Sequence, residues 1–394
     1  MKVAIINSFY YPNMVGGTEH SVKILAEELQ GCGVDVLVLS ADGFCCDDDA
    51  VQQSVSVQRI SHKWFTADIF LGKKGFIRRL YSMVKTMYCR DSYNAVLSIL
   101  EDWKPDVIHS NGLYGLSPLV WKAARHLDIP VVHTLRDYYL LDPKSVMDAT
   151  PRWLEGIYET YMRYMTSRYV NCVTAPSAKT IEIHQTHGFF KNCEKIRIPN
   201  CIQFDVERFK QSIDTHASRA VTSKYLFIGA LAKHKGIDIL LAEFSNCPDP
   251  SISLHIAGSG PLESYVLKSA QDDSRIIFHG QLDSISLERL YEDCDVLIVP
   301  SVWDEPFGRV VIEGFLHGLP CIGTMRGGVA EILEESSGGV IVDVNKKGEL
   351  QNAITMFLNR NLVNKCLKSI DTSMEGYSSL CQAKAFIDVY KKCK

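Results

Sequence analysis

The chain has 394 residues, 42 Lys plus Arg against 46 Asp plus Glu, a formal net charge of −4, and 46% apolar with 22% charged residues. That balance excludes disorder, collagen and coiled coil, and a domain size of roughly 150 residues makes the chain two or three domains long. No apolar run approaches the roughly 18 to 20 residues that cross a bilayer, and the first apolar run soon meets Tyr10-Tyr11-Pro12, so a cytoplasmic protein is expected. The 13 cysteines are odd in number and show no CxxC or Cys/His zinc spacing, so they read as small buried apolar residues in a reduced compartment.

Short β-rich apolar runs alternate with longer helical patterns through both halves, the signature of parallel α/β layers. The first set is Val3 to Asn7, Val34 to Ser40, Val107 to His109, Val131 to Thr134 and Cys172 to Ala175. After the first run, Gly16-Gly17-Thr18-Glu19-His20 precedes a helical pattern through Leu29. Glycines there let backbone amides approach an anion at a helix start; on this pair alone, a plain turn is an equal reading. Residues 59 to 90 hold eight basic groups (Arg59, Lys63, Lys73, Lys74, Arg78, Arg79, Lys85, Arg90) against Asp68 alone, interleaved with six aromatics. Two readings stand side by side, a surface lying on anionic lipid headgroups and a solvated helix face with its aromatics in the core. Nucleic acid is disfavoured, since no recognisable binding module accompanies the charge.

The polar stretch around Asp205 to Ser223 lacks a strong period and is the expected linker. The second set of runs is Tyr225 to Ile228, Ser253 to Ala257, Ile276 to Phe278, Val296 to Val299, Cys321 to Gly323 and Gly339 to Val342. Tyr377 to Lys394 carries Leu380, Ala383, Phe386, Ile387 and Tyr390 at helical spacing, an amphipathic terminal helix. The expected organisation is a domain over 1–205, a second over 206–375 and a terminal helix over 376–394. Each half forms a doubly wound α/β sheet, and ligands bind beyond the carboxyl ends of such strands, across a shared cleft.

The stretch richest in chemistry runs from Pro300 to Leu333, PSVWDEPFGRVVIEGFLHGLPCIGTMRGGVAEIL. It follows a buried strand, sets Glu305 and a Pro-Phe-Gly loop before a helix, and places Glu313 on that helix. Two carboxylates eight positions apart, roughly 12 Å along a helix axis if all were helical, suit two hydroxyl-bearing parts of one elongated ligand. The amides of Phe307 to Val310 would face a diphosphate between them. The plainer reading is a capped surface helix.

This run resembles the retaining glycosyltransferases of the large family four, built on the GT-B fold of two facing Rossmann-like domains, with Glu305 to Glu313 as the Glu-x7-Glu signature. Further matching pieces are Gly16-Gly17-Thr18-Glu19, PDVIHSNGLYGLSP (Pro105 to Pro118), PVVHTLRDYY (Pro130 to Tyr139), TAPS (Thr174 to Ser177), IPN (Ile198 to Asn200), GALAKHKG (Gly229 to Gly236) and IAGSGP (Ile256 to Pro261). The resemblance implies that Glu313 binds the ribose of a nucleotide-sugar. It implies that Glu305 and the Phe307-Gly308 amides contact the transferred sugar, with Arg309 and Val310 beside them on the donor. Lys235 would neutralise the diphosphate, helped by Gly16-Gly17, and the backbone of Leu282 would meet the base. The terminal helix is implied to cross back onto the first domain.

Two departures stand out. Ala230-Leu231 occupies a place where the family commonly has Arg-Leu, which removes one diphosphate cation; Lys233 and Arg309 are candidate substitutes. Arg136-Asp137 stands where many members have His-Asp. Arg stays protonated at neutral pH, so it is no base, but it can pair with a phosphate or sugar oxygen or with Asp137. Glu305, Lys235, Arg136 and Asp137 are thus the catalytic candidates, and His109 and Asn111 lie on the acceptor side, His109 standing almost equally well as a satisfied core histidine. Asp47-Asp48-Asp49 and Asp293-Cys294-Asp295 superficially match a metal-binding Asp-x-Asp, but neither context supports a catalytic metal. Ser177 reads as a helix cap.

The resulting expectation is a retaining, metal-independent hexosyltransferase acting in bacterial surface polysaccharide or lipopolysaccharide assembly. It takes a UDP- or GDP-sugar and a lipid-linked or oligosaccharide acceptor, with no cofactor. It is cytoplasmic, and peripheral on the inner membrane if residues 59 to 90 dock there. The alternatives are a catalytically weak nucleotide-sugar-binding subunit of an assembly complex and a nucleotide-sugar epimerase.

Overall fold

A computed structural model describes residues 1–14, 16–42, 55–61, 81, 84–142, 152–203 and 205–394. Two compact units result, one of Met1–Cys201 with Ser379–Lys394, the other of Ile202–Ser378.

The first unit is a parallel sheet of β1 (Lys2–Asn7), β2 (Asp35–Asp42), β3 (Ser56–Ser61), β4 (Val107–Ser110), β5 (Val131–Thr134), β6 (Cys172–Ala175) and β7 (Glu194–Arg197), in the order β3-β2-β1-β4-β5-β6-β7. Its helices are α1 (Gly17–Gly31), α2 (Arg90–Trp103), α3 (Leu119–His126), α4 (Arg152–Tyr169) and α5 (Ala178–Thr186). The central strands β4, β5 and β6 are buried at every position, which is why they read as continuous apolar runs rather than alternating ones. Ser177 caps α5 by accepting from the Thr180 amide at 3.2 Å.

The second unit holds α6 (Val206–Ser218), β8 (Lys224–Ile228), α7 (Ile237–Ser245), β9 (Ser253–Ala257), α8 (Glu263–Asp272), β10 (Ile276–Gly280), α9 (Ser284–Asp293), β11 (Val296–Val299), α10 (Arg309–Leu316), β12 (Cys321–Thr324), α11 (Gly327–Ser336), β13 (Gly339–Val342), α12 (Glu349–Met356) and α13 (Arg360–Ser373). Its six parallel strands run β10-β9-β8-β11-β12-β13. In each sheet the strand order reverses beside the first strand, between β1 and β4 and between β8 and β11, and such a switch point opens the crevice where ligands enter.

The expected linker is instead α6. Asp205 caps it, its carboxylate accepting from the Glu207 amide at 2.8 Å and the Arg208 amide at 3.1 Å, and Phe209, Ile213 and His216 are buried at helical spacing. The unit boundaries fall at 201/202 and 378/379 rather than at 205/206 and 375/376. The terminal helix α14 (Ser379–Cys393) belongs to the first unit and lays Ala383, Phe386, Val389 and Tyr390 into a core with Val22, Leu25 and Leu29 of α1. Leu380, expected on its apolar face, is exposed. Among the described residues, no helix is long and apolar enough to cross a membrane.

Candidate active site

In the second unit the switch point gathers the loops after β8 and β11. The chain leaves β8 through Gly229-Ala230, makes a tight turn at Lys233–Lys235, and enters α7 through Gly236 at φ 71°. A Cβ on Gly236 would sit 2.0 Å from the carbonyl oxygen of Pro300, just after β11, so only glycine permits this approach. The Val302 amide donates to the His234 carbonyl at 3.0 Å and ties the two loops together.

That tie sets Lys235 beside Glu305. Lys235 Nζ donates to Glu305 Oε1 at 3.0 Å and lies 5.6 Å from the Trp303 ring centre, and the Ser301 hydroxyl donates to the same carboxylate oxygen. Glu305 is buried, and its main-chain carbonyl accepts from Gly328 at 2.7 Å. A Cβ on Gly327 would meet that carbonyl at 2.4 Å. The loop carrying Glu305 is therefore clamped on the first turn of α11.

Helix α10 begins only at Arg309, behind Gly308, so Glu313 alone is helical and the fully helical spacing of the two carboxylates does not apply. Glu313 accepts from Arg309 Nε at 2.7 Å and from the Tyr291 hydroxyl at 3.4 Å. Burial and the Glu313 charge push the Tyr291 phenol well above its usual range, which keeps it a donor. Arg309, a candidate diphosphate cation, is thus engaged with Glu313, whereas Lys233 stands exposed. Phe307 is buried and packs near Tyr377 at 6.3 Å between ring centres; Val310 and Leu282 rest half-buried against the same core. Asp293 pairs with Lys224 and Asp295 with Arg219, each at 2.6 Å, so both act as structural anchors.

In the first unit, the Gly16 amide donates to Glu19 Oε2 at 2.8 Å. The amide expected to serve an anion thus faces a carboxylate of the chain itself. The alternatives left open for His109 also resolve. It is fully buried, Nδ1 lies 2.6 Å from the Tyr390 hydroxyl and Nε2 2.6 Å from Thr134 Oγ1. Burial, with the charges of Arg136 and His133 behind it, holds the imidazole well below its usual range. With both nitrogens spent on α14 and β5, His109 fastens the terminal helix and is withdrawn as an acceptor contact. Arg136 does not pair with Asp137. Its Nε donates to Asn111 Oδ1 at 3.0 Å and its Nη1 to Asn200 Oδ1, while Asp137 Oδ1 accepts from the Tyr139 amide at 2.9 Å.

The Glycosyltransferase Family 4 model matches residues 15–206, and the Glycosyl transferases group 1 model follows it over residues 210–372. The chain is a family-4-like glycosyltransferase. It is similar to a 42.6 kDa protein in the cps region of Klebsiella pneumoniae, 27% identical over 84% of this chain and 87% of the other. It is also similar to the O-antigen chain mannosyltransferase C of Escherichia coli, 23% identical over 99% of this chain and 97% of the other. Among solved structures, Anabaena Alr3699/HepE in complex with UDP-glucose matches with a TM-score of 0.68 at 17% identity, covering 100% of both chains. That likeness is one of fold, and the transferase has the two parallel-sheet domains of GT-B.

Several residues on which this glycosyltransferase's candidate site leans carry no role in the sequence reading: Ser301, Tyr291, Asn200 and Glu19. Ser301 lies inside the Pro300 to Leu333 run and Asn200 ends the Ile-Pro-Asn motif, so both sit in recognisable stretches. Tyr291 lies 22 residues from Glu313 on a separate helix, with no local pattern to connect them. Asp47 to Asp49, Arg78, Arg79 and most of the basic stretch 59 to 90 lie outside the described residues; of its ends, Arg59 donates to the Tyr11 carbonyl at 3.0 Å and Arg90 begins α2.

Asp137 yields a pH-dependent prediction for the transferase. Burial, and after it the Glu19 charge, raises its carboxyl to about 6 against the lowering pull of the Tyr139 amide. The folded value lies above the unfolded one of about 3.9, so folding takes up a proton between them, and stability falls as pH rises through 6. At about 1.4 kcal/mol per pH unit, Asp137→Asn is expected to stabilise the protein by about 1–3 kcal/mol at pH 7.5 and by much less at pH 4.5. Thermal melts at the two pH values check this; equal melting of variant and wild type at pH 7.5 would refute it.

Proposed function

We propose that this glycosyltransferase is a retaining, metal-independent hexosyltransferase that moves a hexose from a nucleoside diphosphate sugar to an acceptor hydroxyl in surface polysaccharide or lipopolysaccharide assembly. The observation that carries the reading is the Lys235–Glu305–Ser301 cluster at the switch point of the second sheet, one turn ahead of the helix that bears Glu313. In this reading the ammonium of Lys235 faces the diphosphate as the glycosidic bond breaks, where fixed positive charge acts most strongly. Amides at the start of α10 add to it. Glu313 accepts from the ribose hydroxyls, exchanging part of its contact with Arg309, and Glu305 orients Lys235 while facing the sugar. Release of the diphosphate lets its oxygen take the acceptor proton on the same face, which retains the anomeric configuration. UDP-glucose in the related Anabaena fold and the names of the cps and O-antigen relatives favour a nucleotide-sugar donor and a surface-glycan product. A cytoplasmic location, peripheral at the inner membrane, belongs to the same proposal.

The test is a thermal-shift screen of UDP-, GDP- and ADP-linked hexoses. A ligand held at a hundred times its dissociation constant stabilises the folded state by about 2.7 kcal/mol. One nucleotide class is expected to raise the melting temperature by several degrees, and Glu313→Ala is expected to abolish that shift. An unchanged shift in Glu313→Ala would remove the donor-site assignment.

A further inference from the structure

At the switch point of the first sheet, three polar atoms are buried without a hydrogen-bond partner among the described residues: Ser8 Oγ just past β1, Asn111 Nδ2 just past β4, and Arg136 Nη2 just past β5. They belong to one cluster. Arg136 Nε donates to Asn111 Oδ1 at 3.0 Å, Gly112 donates its amide to Asn7 Oδ1 at 2.9 Å, and a Cβ on Gly112 would sit 3.0 Å from Ser8 Oγ. A guanidinium nitrogen this enclosed normally faces a carboxylate, because a buried charge without a counter-charge is costly. Among the described residues, the side-chain partners of Arg136 are the neutral amide oxygens of Asn111 and Asn200. The neighbouring carboxylates are turned elsewhere, Asp137 to the Tyr139 amide and Glu19 to Gly16. Burial holds both His109 and His133 below their usual range, and the Arg136 charge adds to it in each. Arg136 and Asp137 stay partly open at the crevice mouth.

We propose that this cradle of Arg136, Asn111 and Ser8 takes an anionic oxygen group carried by the substrate, so that the transferase handles an acidic sugar: a hexuronate carboxylate or a sugar phosphate. The guanidinium fork matches either group in two parallel N–H···O bonds, and Arg136 already spends two of its nitrogens on holding that fork still. The proposal rests on the donor-site reading above for its place in the reaction, and on the first unit alone for its chemistry.

The test is calorimetric titration with paired ligands: UDP-glucuronate against UDP-glucose, GDP-mannuronate against GDP-mannose, methyl glucuronide against methyl glucoside, and glucose 6-phosphate against glucose, with UDP and GDP as references. At least one acidic member is expected to bind about tenfold or more tightly than its neutral counterpart, as a charge-assisted bond provides. Arg136→Met is expected to bring that ratio near one, and Arg136→Lys to keep part of it. The nucleotide pairs place the anion on the donor, and the free glycoside and sugar-phosphate pairs place it on the acceptor. No acidic preference in the wild type overturns the proposal, as does a preference that survives in Arg136→Met. An equal loss of UDP, UDP-glucose and UDP-glucuronate in that variant overturns it too, since Arg136 would then serve the diphosphate. Failure of every nucleotide to bind would sink the donor reading instead, and the free-sugar pairs still decide the cradle.

Discussion

Lys235→Met is expected to slow nucleoside diphosphate release by about 100- to 1000-fold, the usual cost of removing one preorganised charge stabiliser. It is also expected to destabilise the second unit. Lys235 is the cation bound to Glu305, and without it the buried carboxylate keeps, among the described residues, the Ser301 hydroxyl alone. An acceptor stranded this way costs about 1–3 kcal/mol. The two losses separate in the double variant Lys235→Met with Glu305→Gln, where the amide needs no counter-charge: stability should return and turnover should not. Denaturation midpoints of the single and double variants, measured beside diphosphate release, decide the matter. Wild-type turnover in Lys235→Met would end the assignment of this lysine to the leaving group.

Gly236→Ala is expected to be among the damaging small substitutions in the same unit, lowering its stability by about 2–4 kcal/mol. Two causes add. The residue sits at φ 71°, where an L side chain is strained by about 1–2 kcal/mol, and its Cβ would come within 2.0 Å of the Pro300 carbonyl oxygen. Backbone cannot yield as a flexible side chain does, so the Lys235 turn or the loop after β11 must move, and donor binding should fall with stability. Gly348→Ala is the control. Gly348 has φ 85° but nothing within 4 Å of its Cβ position, so only the conformational strain remains, about 1–2 kcal/mol. Similar denaturation midpoints for the two variants would show that the Pro300 contact is loose.

How far the sequence discloses this structure depends on where each residue ends up. All six strands of the second sheet are legible: the inner ones because a parallel strand packed on both faces must be a continuous apolar run, and the edges β10 and β13, though only partly buried, because IIF and GVIV are apolar runs as well. In the first sheet, β3 with the sequence SVQRIS and β7 with EKIR escape notice. They are its two edges, where fewer neighbours demand fewer apolar residues and charges are tolerated. In the site, Lys235 and Glu305 are legible as motif members, but 70 residues separate them, and nothing local says that they bind each other. His109 shows the same limit: its strand-end position suggests a ligand, and what claims it is Tyr390, 281 residues further on. The Glu19 carboxylate on the Gly16 amide was readable, since an acid three positions after a helix cap commonly folds back on it.

The chain leaves the first unit after Cys201 and re-enters it at Ser379. Just inside those points Ile202 bridges Ser378, and its amide donates to the Tyr377 carbonyl at 3.0 Å. The 202–378 segment thus starts and finishes at neighbouring points, about 5 Å apart as in any β-pair. Such a segment is a cassette: one continuous stretch of gene encodes it, and it can be exchanged between related transferases without stretching either junction. Recombination could therefore trade the second unit of such an enzyme as a single block, leaving the terminal helix and its His109–Tyr390 clasp with the first unit.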